Sequence, residues 1–322
     1  MNEKNWIQRT NAKQKGWRDI ASSDDGNILV AIPTYGVIST SSDGGTTWIE
    51  RSFGTKAWTA VASDSSGTKL VAVANNDYIY TSANSGASWT QQTNSGIRSW
   101  TSVSSNSDGT KLVATVDNGY IYTSTDSGTS WTERQSAGQR YWWAISSSAN
   151  GDILAAVYYN NVSNQYIMIS TNSGASWSSA TSAGDEPWRS VAVSRDGTKI
   201  LGISELSLKI SADNGASWTT LTNAPARSFT SNVASRFLTV SNNASIIVFV
   251  ANYPGTIYSS TDGGDSWTLN ISNDSPFIQE GRRWSAVALS SDGTKLAATD
   301  LGCATAPPCN PGYIYTRKQC GT

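Results

Sequence analysis

Ser41-Ser42-Asp43-Gly44-Gly45-Thr46-Thr47-Trp48 is the stretch on which the fold turns. Its frame, Ser-x-Asx-x-Gly-x-Ser/Thr-Trp, returns with its last residue at Trp89, Trp131, Trp177, Trp218 and Trp267. The third position is always Asp or Asn (Asp43, Asn84, Asp126, Asn172, Asp213, Asp262) and the fifth is always Gly. An Asx side chain bonds the backbone a few residues on, Gly accepts positive φ, and the Trp packs beneath the turn. The frame is a self-contained turn between two strands.

Working outward, each turn follows an alternating strand such as Tyr78-Ile79-Tyr80-Thr81 or Tyr120-Ile121-Tyr122-Thr123. Before it stands an apolar strand such as Lys69-Leu70-Val71-Ala72-Val73, then a Gly turn, then a strand opening Trp-x-x-Val/Ile. The openers are Trp17, Trp58, Trp100, Trp142, Trp188, Phe229 and Trp284. Four short strands recurring about every 42 residues form a propeller blade. The expected fold is all-β, a seven-bladed β-propeller spanning 1–322 as one domain. Residues 5–10 complete the seventh blade, because Asn5-Trp6-Ile7-Gln8-Arg9-Thr10 repeats Thr47-Trp48-Ile49-Glu50-Arg51-Ser52. Six or eight blades would leave a strand unaccounted for.

The frame resembles the Asp-box, or BNR repeat, of sialidase-like propellers. Seven-bladed BNR propellers also include photosystem II assembly factors, which hold a protein partner on an arginine-rich face. The resemblance implies that the Asp-box and Gly turns share one face and that ligands sit on the other. Acidic residues in the turns (Asp24, Asp25, Asp43, Asp64, Asp108, Asp126, Asp196, Asp213, Asp262, Asp292) are then structural.

On the presumptive ligand face, two residues before each opener, stand Lys15, Lys56, Arg98, Arg140, Glu186, Arg227 and Arg282. Arg283 adds to them, and Arg18 and Arg189 lie one step past their Trp. The sevenfold repeat predicts a basic ring around a central funnel, with Tyr35, Tyr141, Trp142, Trp143, Tyr158, Tyr159 and Tyr253 as stacking surfaces. Arg forks suit oxyanions and aromatic faces suit sugar rings. The reading is a non-catalytic, lectin-like module for an anionic glycan or other anionic group. The alternatives are a glycoside hydrolase or polysaccharide lyase acting on an acidic glycan, and a protein-binding scaffold using the basic face.

A sialidase would need an Arg-Ile-Pro motif, and Ala31-Ile32-Pro33 stands there without the Arg. A glycosidase needs two carboxylates about 5–9.5 Å apart. The turn filter leaves Asp19, Asp77, Asp117, Asp185, Glu186, Glu205, Asp274, Glu280 and Asp300, of which Glu186, Glu205 and Glu280 are the first candidates. A lyase could use Tyr141 beside Arg140.

The chain has 322 residues, 23 Lys+Arg against 24 Asp+Glu, and no His. That absence excludes His-based triads, His-ligated metals and His pH switches within the chain. The charge balance argues against bulk nucleic-acid binding. No run approaches the ~18 apolar residues of a membrane span. No cofactor and no metal are expected, and the expected state is a monomer. Cys303 and Cys309 flank a Pro-rich loop and would form a disulfide in an extracellular chain, leaving Cys320 odd. Met1 is followed at once by polar residues, so no leader is read; an extracellular or cell-surface location requires that one was removed.

Overall fold

The computed structural model describes residues 6–160, 165–225, 237–251, 255–271, 282–303 and 312–318. Seven four-stranded antiparallel sheets follow one another, each meandering from an inner first strand to an outer fourth strand. Six are built from consecutive strands, as in Trp58–Ser63, Leu70–Ala74, Ile79–Ser82 and Thr90–Gln92. The seventh takes its fourth strand from the N-terminus: Trp6–Gln8 pairs with Ile314–Lys318 in the register Trp6↔Arg317, Ile7↔Thr316, Gln8↔Tyr315. The fold is an all-β, seven-bladed propeller closed by its first strand, which removes an open sheet edge.

Each blade is covered on both faces by its neighbours. The second strands therefore read as unbroken apolar runs, and Leu29–Pro33, Leu70–Ala74 and Leu112–Val116 are buried at every residue. The core lies in the seams: Val30 and Ile32 of the first blade pack with Trp58, Val61 and Ala72 of the second. The opener tryptophans fill these seams and are fully buried, and the Trp58 and Trp142 indoles donate to Gly36 and Gly119 carbonyls at 3.0 and 2.9 Å.

The six turns share one Ser–Asx–Gly network, and in four of them the Trp indole adds a bond to the Gly carbonyl. In the first, Ser41 Oγ donates to Asp43 Oδ1 at 2.8 Å and accepts from Gly45 N at 2.8 Å. Asp43 accepts from Thr47 N at 2.8 Å and Thr47 Oγ1 at 2.6 Å, and Trp48 Nε1 donates to Gly45 O at 3.0 Å. Asn84 and Asn172 preserve this by donating from Nδ2 to Ser88 and Ser176, each at 2.8 Å. Hydroxyl and amide donors hold Asp213 at a pKa of about 2, below the usual carboxylate range.

The sixth blade departs from the markers of the others. Its first and second strands pair Leu238 with Phe249, as Val61 pairs with Ala72 in the second blade. Ala244, at φ 54°, occupies the turn position of Gly67 at φ 73°. The described first strand of this blade is Leu238–Val240, and the inner-strand opener lies outside the described residues. Both Phe229 and Arg227 lie outside the described residues. This blade lacks both the Trp and the turn Gly that mark the others.

Candidate functional site

The strand order puts the Gly turns and the six Asx turns at one end of the propeller. The second-to-third loops and the connections into each inner strand lie at the other. At this loop-bearing end the blades are joined by paired backbone bonds, Gly36 with Lys56, Asp77 with Arg98 and Gly119 with Arg140. Those bonds fix the residues two places before each opener against the neighbouring blade's loop, in the seams.

The basic residues there are half-buried and engaged locally. Lys56 Nζ meets Asp77 Oδ2 at 2.9 Å and lies 4.5 Å from the Tyr80 ring centre. Burial alone would lower its pKa, but the bonds to Tyr80 and Asp77 outweigh it and raise it. Arg98 donates to Ser95 O at 2.9 Å and lies over the Tyr122 ring at 4.7 Å. Arg140 donates to Ala137 O at 3.1 Å and covers the Tyr158 ring at 4.3 Å. Lys15 pairs with Glu50 at 2.7 Å beside Trp17. The backbone of Arg282 begins the seventh inner strand, and its side chain lies outside the described set. These cations pack on blade aromatics rather than standing open around a funnel.

The fifth blade inverts the pattern. Glu186 replaces the cation and pairs at 2.7 Å with Lys209, whose Nζ lies 5.7 Å from the Trp188 ring centre. Lys209 stands in the third strand opposite Gly202, as Tyr80 stands opposite Ala72. Desolvation opposes ionisation of Glu186, but Lys209 and the Ser204 and Ser207 hydroxyls prevail and lower its pKa. Sequence reading overlooked Lys209; its signal was a charge where four other blades carry Tyr80, Tyr122, Tyr258 and Tyr315.

Several carboxylate candidates are structural supports. Asp19 is buried and accepts from Ile20 N and Val61 N, both at 2.9 Å, the second across a seam. Asp300 is buried and accepts from Gly302 N at 2.7 Å. Asp185 accepts from Gln165 N at 2.8 Å. Glu205 pairs with Arg189 at 2.8 Å. Asp274 and Glu280 lie outside the described residues, as do Tyr253, Cys309 and Cys320; the Cys303 side chain does as well.

Trp142 is not a ligand surface: it is fully buried in a blade seam. Trp143 and Tyr159 stack on each other, with ring centres 5.2 Å apart and planes 7° from parallel. Arg189 lies 4.6 Å from the Trp143 ring. Tyr141 is 47 % exposed.

The residue after each described opener sits in a β-bulge. The register skips Arg18, Thr59, Thr101, Trp143, Arg189 and Ser285, because pairing runs from Trp17↔Pro33 directly to Asp19↔Ile32, and likewise in the other five. A bulge bends the strand and re-aims one side chain. Here it does so at the loop-bearing end of the inner strands, which surround the axis.

The same end carries an unusual apolar surface. Tyr35, Ile97, Tyr141 and Leu206 are 72 %, 62 %, 47 % and 74 % exposed; Tyr141 opens an inner strand there and the other three belong to the loops and connections of that end. The remaining exposed large apolar side chains, Ile7, Ile49 and Leu269, lie on outer strands, and none is on the turn-bearing end among the described residues.

Comparison with solved structures finds the same architecture in YCF48. YCF48 bound to a D1 peptide matches with a TM-score of 0.71 at 15% identity, covering 100% of this chain and 99% of that one. YCF48 from Cyanidioschyzon merolae matches with a TM-score of 0.66 at 13% identity, covering 98% of each. At such identity the likeness establishes the fold. No protein-family model matches the chain, and no curated protein does. Among the described residues no helix is long and apolar enough to cross a membrane.

Proposed function

We propose that this propeller is a non-catalytic scaffold that docks a protein partner on its loop-bearing end. The observation that carries the reading is that Tyr35, Ile97, Tyr141 and Leu206, all exposed, lie on that end, while among the described residues the turn-bearing end carries no exposed large apolar side chain. Large exposed apolar side chains cost solvation, and their grouping on one face marks an interaction surface. Cations and aromatics at the neighbouring seams supply the polar rim and the Arg and Tyr content typical of interfaces. YCF48, whose fold matches this chain over nearly its whole length, is solved with a D1 peptide, which supports a peptide-binding use of this architecture.

A glycan reading has less to stand on. Of the rings expected to form a sugar platform, Trp142 is inside the core, and Trp143 and Tyr159 are stacked on each other. The test is affinity capture from the source cell, comparing a Tyr35→Ser/Leu206→Ser variant with an Ile7→Ser/Ile49→Ser control. A defined protein retained by wild type and control but lost by the loop-face variant supports the proposal. Equal retention by all three would sink it.

A further inference from the structure

The seam that closes the ring carries a wider groove than two seams built on the same plan. In the seventh blade Ala297, Thr316 and Ile7 are register neighbours across the second, third and fourth strands. The row faces the first blade: a Cβ on Gly45 would lie 2.7 Å from Thr316 Cγ2. The groove between the row and the first blade has a volume of about 460 Å³. Between the second and third blades the row is Val71, Thr81 and Thr90, and the groove is about 280 Å³. Between the third and fourth it begins Val113, Thr123, and the groove is about 10 Å³.

Two missing side chains account for the difference. Ala297 stands where the other rows have Val71 and Val113, and Gly44 stands where the facing Asx turns have Ser127 and Ser173. In the narrowest groove Lys111 donates to Ser173 at 3.2 Å and pairs with Asp152 at 2.7 Å, which draws it across the opening. With no hydroxyl at position 44, Lys295 instead reaches the Gly turn, donating to Asp25 O at 2.8 Å and Asn27 Oδ1 at 2.6 Å.

The closing groove also gains charge. Arg9 stands where the second blade has Gln92, and each donates to the Thr hydroxyl of its row, at 2.7 and 2.6 Å. Burial lowers the Arg9 pKa, with Asp43 opposing. Asp43 is the one acid on the lining among the described residues, and it is spent on Ser41 and Thr47. Neither Arg9 nor Lys295 forms an ion pair among the described residues. Ile7, 52 % exposed, forms an apolar wall above Leu29.

We propose that this groove binds a small amphipathic carboxylate, with its apolar body against Ile7 and its head on Arg9. Its volume falls in the range of small-molecule clefts. Arg9 is anchored through Nε, so its terminal nitrogens are the donors a carboxylate meets, and Lys295 adds positive potential to the same lining.

The groove lies at the turn-bearing end and is tested apart from the docking surface. Wild-type protein is titrated calorimetrically with octanoate, with butanoate and octylamine as controls. Saturable octanoate binding is expected, at least about tenfold tighter than butanoate because methylenes are buried. Octylamine, which has the body without the charge, should not saturate. Gly44→Ser should weaken octanoate by about tenfold or more by refilling the groove. It should fold, because its Cβ meets only Gly26 O at 3.7 Å and Ser85, Ser127 and Ser173 hold the same positive φ. Ala297→Val fills the groove from the other wall and is the second route if Gly44→Ser does not fold. Arg9→Gln should keep the bond to Thr316, as Gln92 does to Thr81, and weaken octanoate about tenfold. Absent octanoate binding, equal binding of octylamine, or wild-type affinity in Gly44→Ser or Arg9→Gln would overturn the proposal.

Discussion

The backbone N–H of Ser291 donates to the carbonyl of Asp24 at 2.9 Å, joining the Gly turn of the seventh blade to that of the first. It completes a circuit. Asp24 donates to Ser65, Ser65 to Ser107, Ser107 to Ala149 and Ala149 to Arg195, at 2.8 to 2.9 Å. Asp196 donates to Asn242 at 3.1 Å, and Asn242 to Ser291 at 2.9 Å. Every donor faces the next blade in chain order, and the fifth blade slips by one residue. The turn-bearing end is thus a closed belt of backbone bonds, which leaves the opposite end as the place where loops vary.

Closure also depends on the N-terminal strand. Trp6 is 8 % exposed and packs in the seam of the sixth and seventh blades with Phe249, Trp284 and Tyr315 among its cluster. Trp6→Ala should cost about 3–5 kcal/mol, as large aromatic truncations in cores do. Guanidinium unfolding measures it, and a loss below about 1 kcal/mol would show that the strand does not clasp the ring.

Acid should loosen the Asx turns in a defined window. Asp213 has its folded pKa lowered from 3.8 to about 2, so its contribution is present above pH 4 and is lost as pH falls toward 2. Asp213→Asn should keep the turn, as Asn84 and Asn172 do, and should flatten the fall in melting temperature between pH 4 and 2. Parallel curves for variant and wild type would contradict this.

The fifth blade's inverted pair should be exchangeable for the pattern of its neighbours. Glu186→Lys alone sets two cations together and should destabilise by roughly 2–3 kcal/mol. Adding Lys209→Tyr rebuilds the Lys56–Tyr80 arrangement and should recover more than half of that. Additive effects in the double-mutant cycle would mean the two positions are uncoupled.

Adjacent residues at the fourth opener should behave oppositely. Trp142→Ala should lose about 3–5 kcal/mol as a core truncation, whereas Tyr141→Ser should stay within about 0.5 kcal/mol. Thermal unfolding followed by circular dichroism separates them.

The blade count and the closure were readable because they rest on spacing: six turns in register and Trp6 matching Trp48. The sixth blade was least legible, because the repeat dropped its markers there and Ala244 took a glycine's positive φ. The basic positions at Lys15, Lys56, Arg98 and Arg140 were also readable, but their surroundings were not. Tyr80, Tyr122 and Tyr158 come from strands 18 to 24 residues on, and only folding shows that they occupy the cations. Arg18 and Arg189 were readable as cations one step past their Trp, but the β-bulge that holds each is a property of the folded register.

The most direct test of the docking face is site-specific photocrosslinking in the native cell. A photoreactive residue is placed at Tyr35, Tyr141 or Leu206 on the loop-bearing end, and at Ile7 or Ile49 on outer strands. The account predicts a common crosslinked polypeptide, identified by mass spectrometry, from the loop-end positions and not from the outer strands. Crosslinks confined to Ile7 and Ile49, or equal at every position, would contradict it.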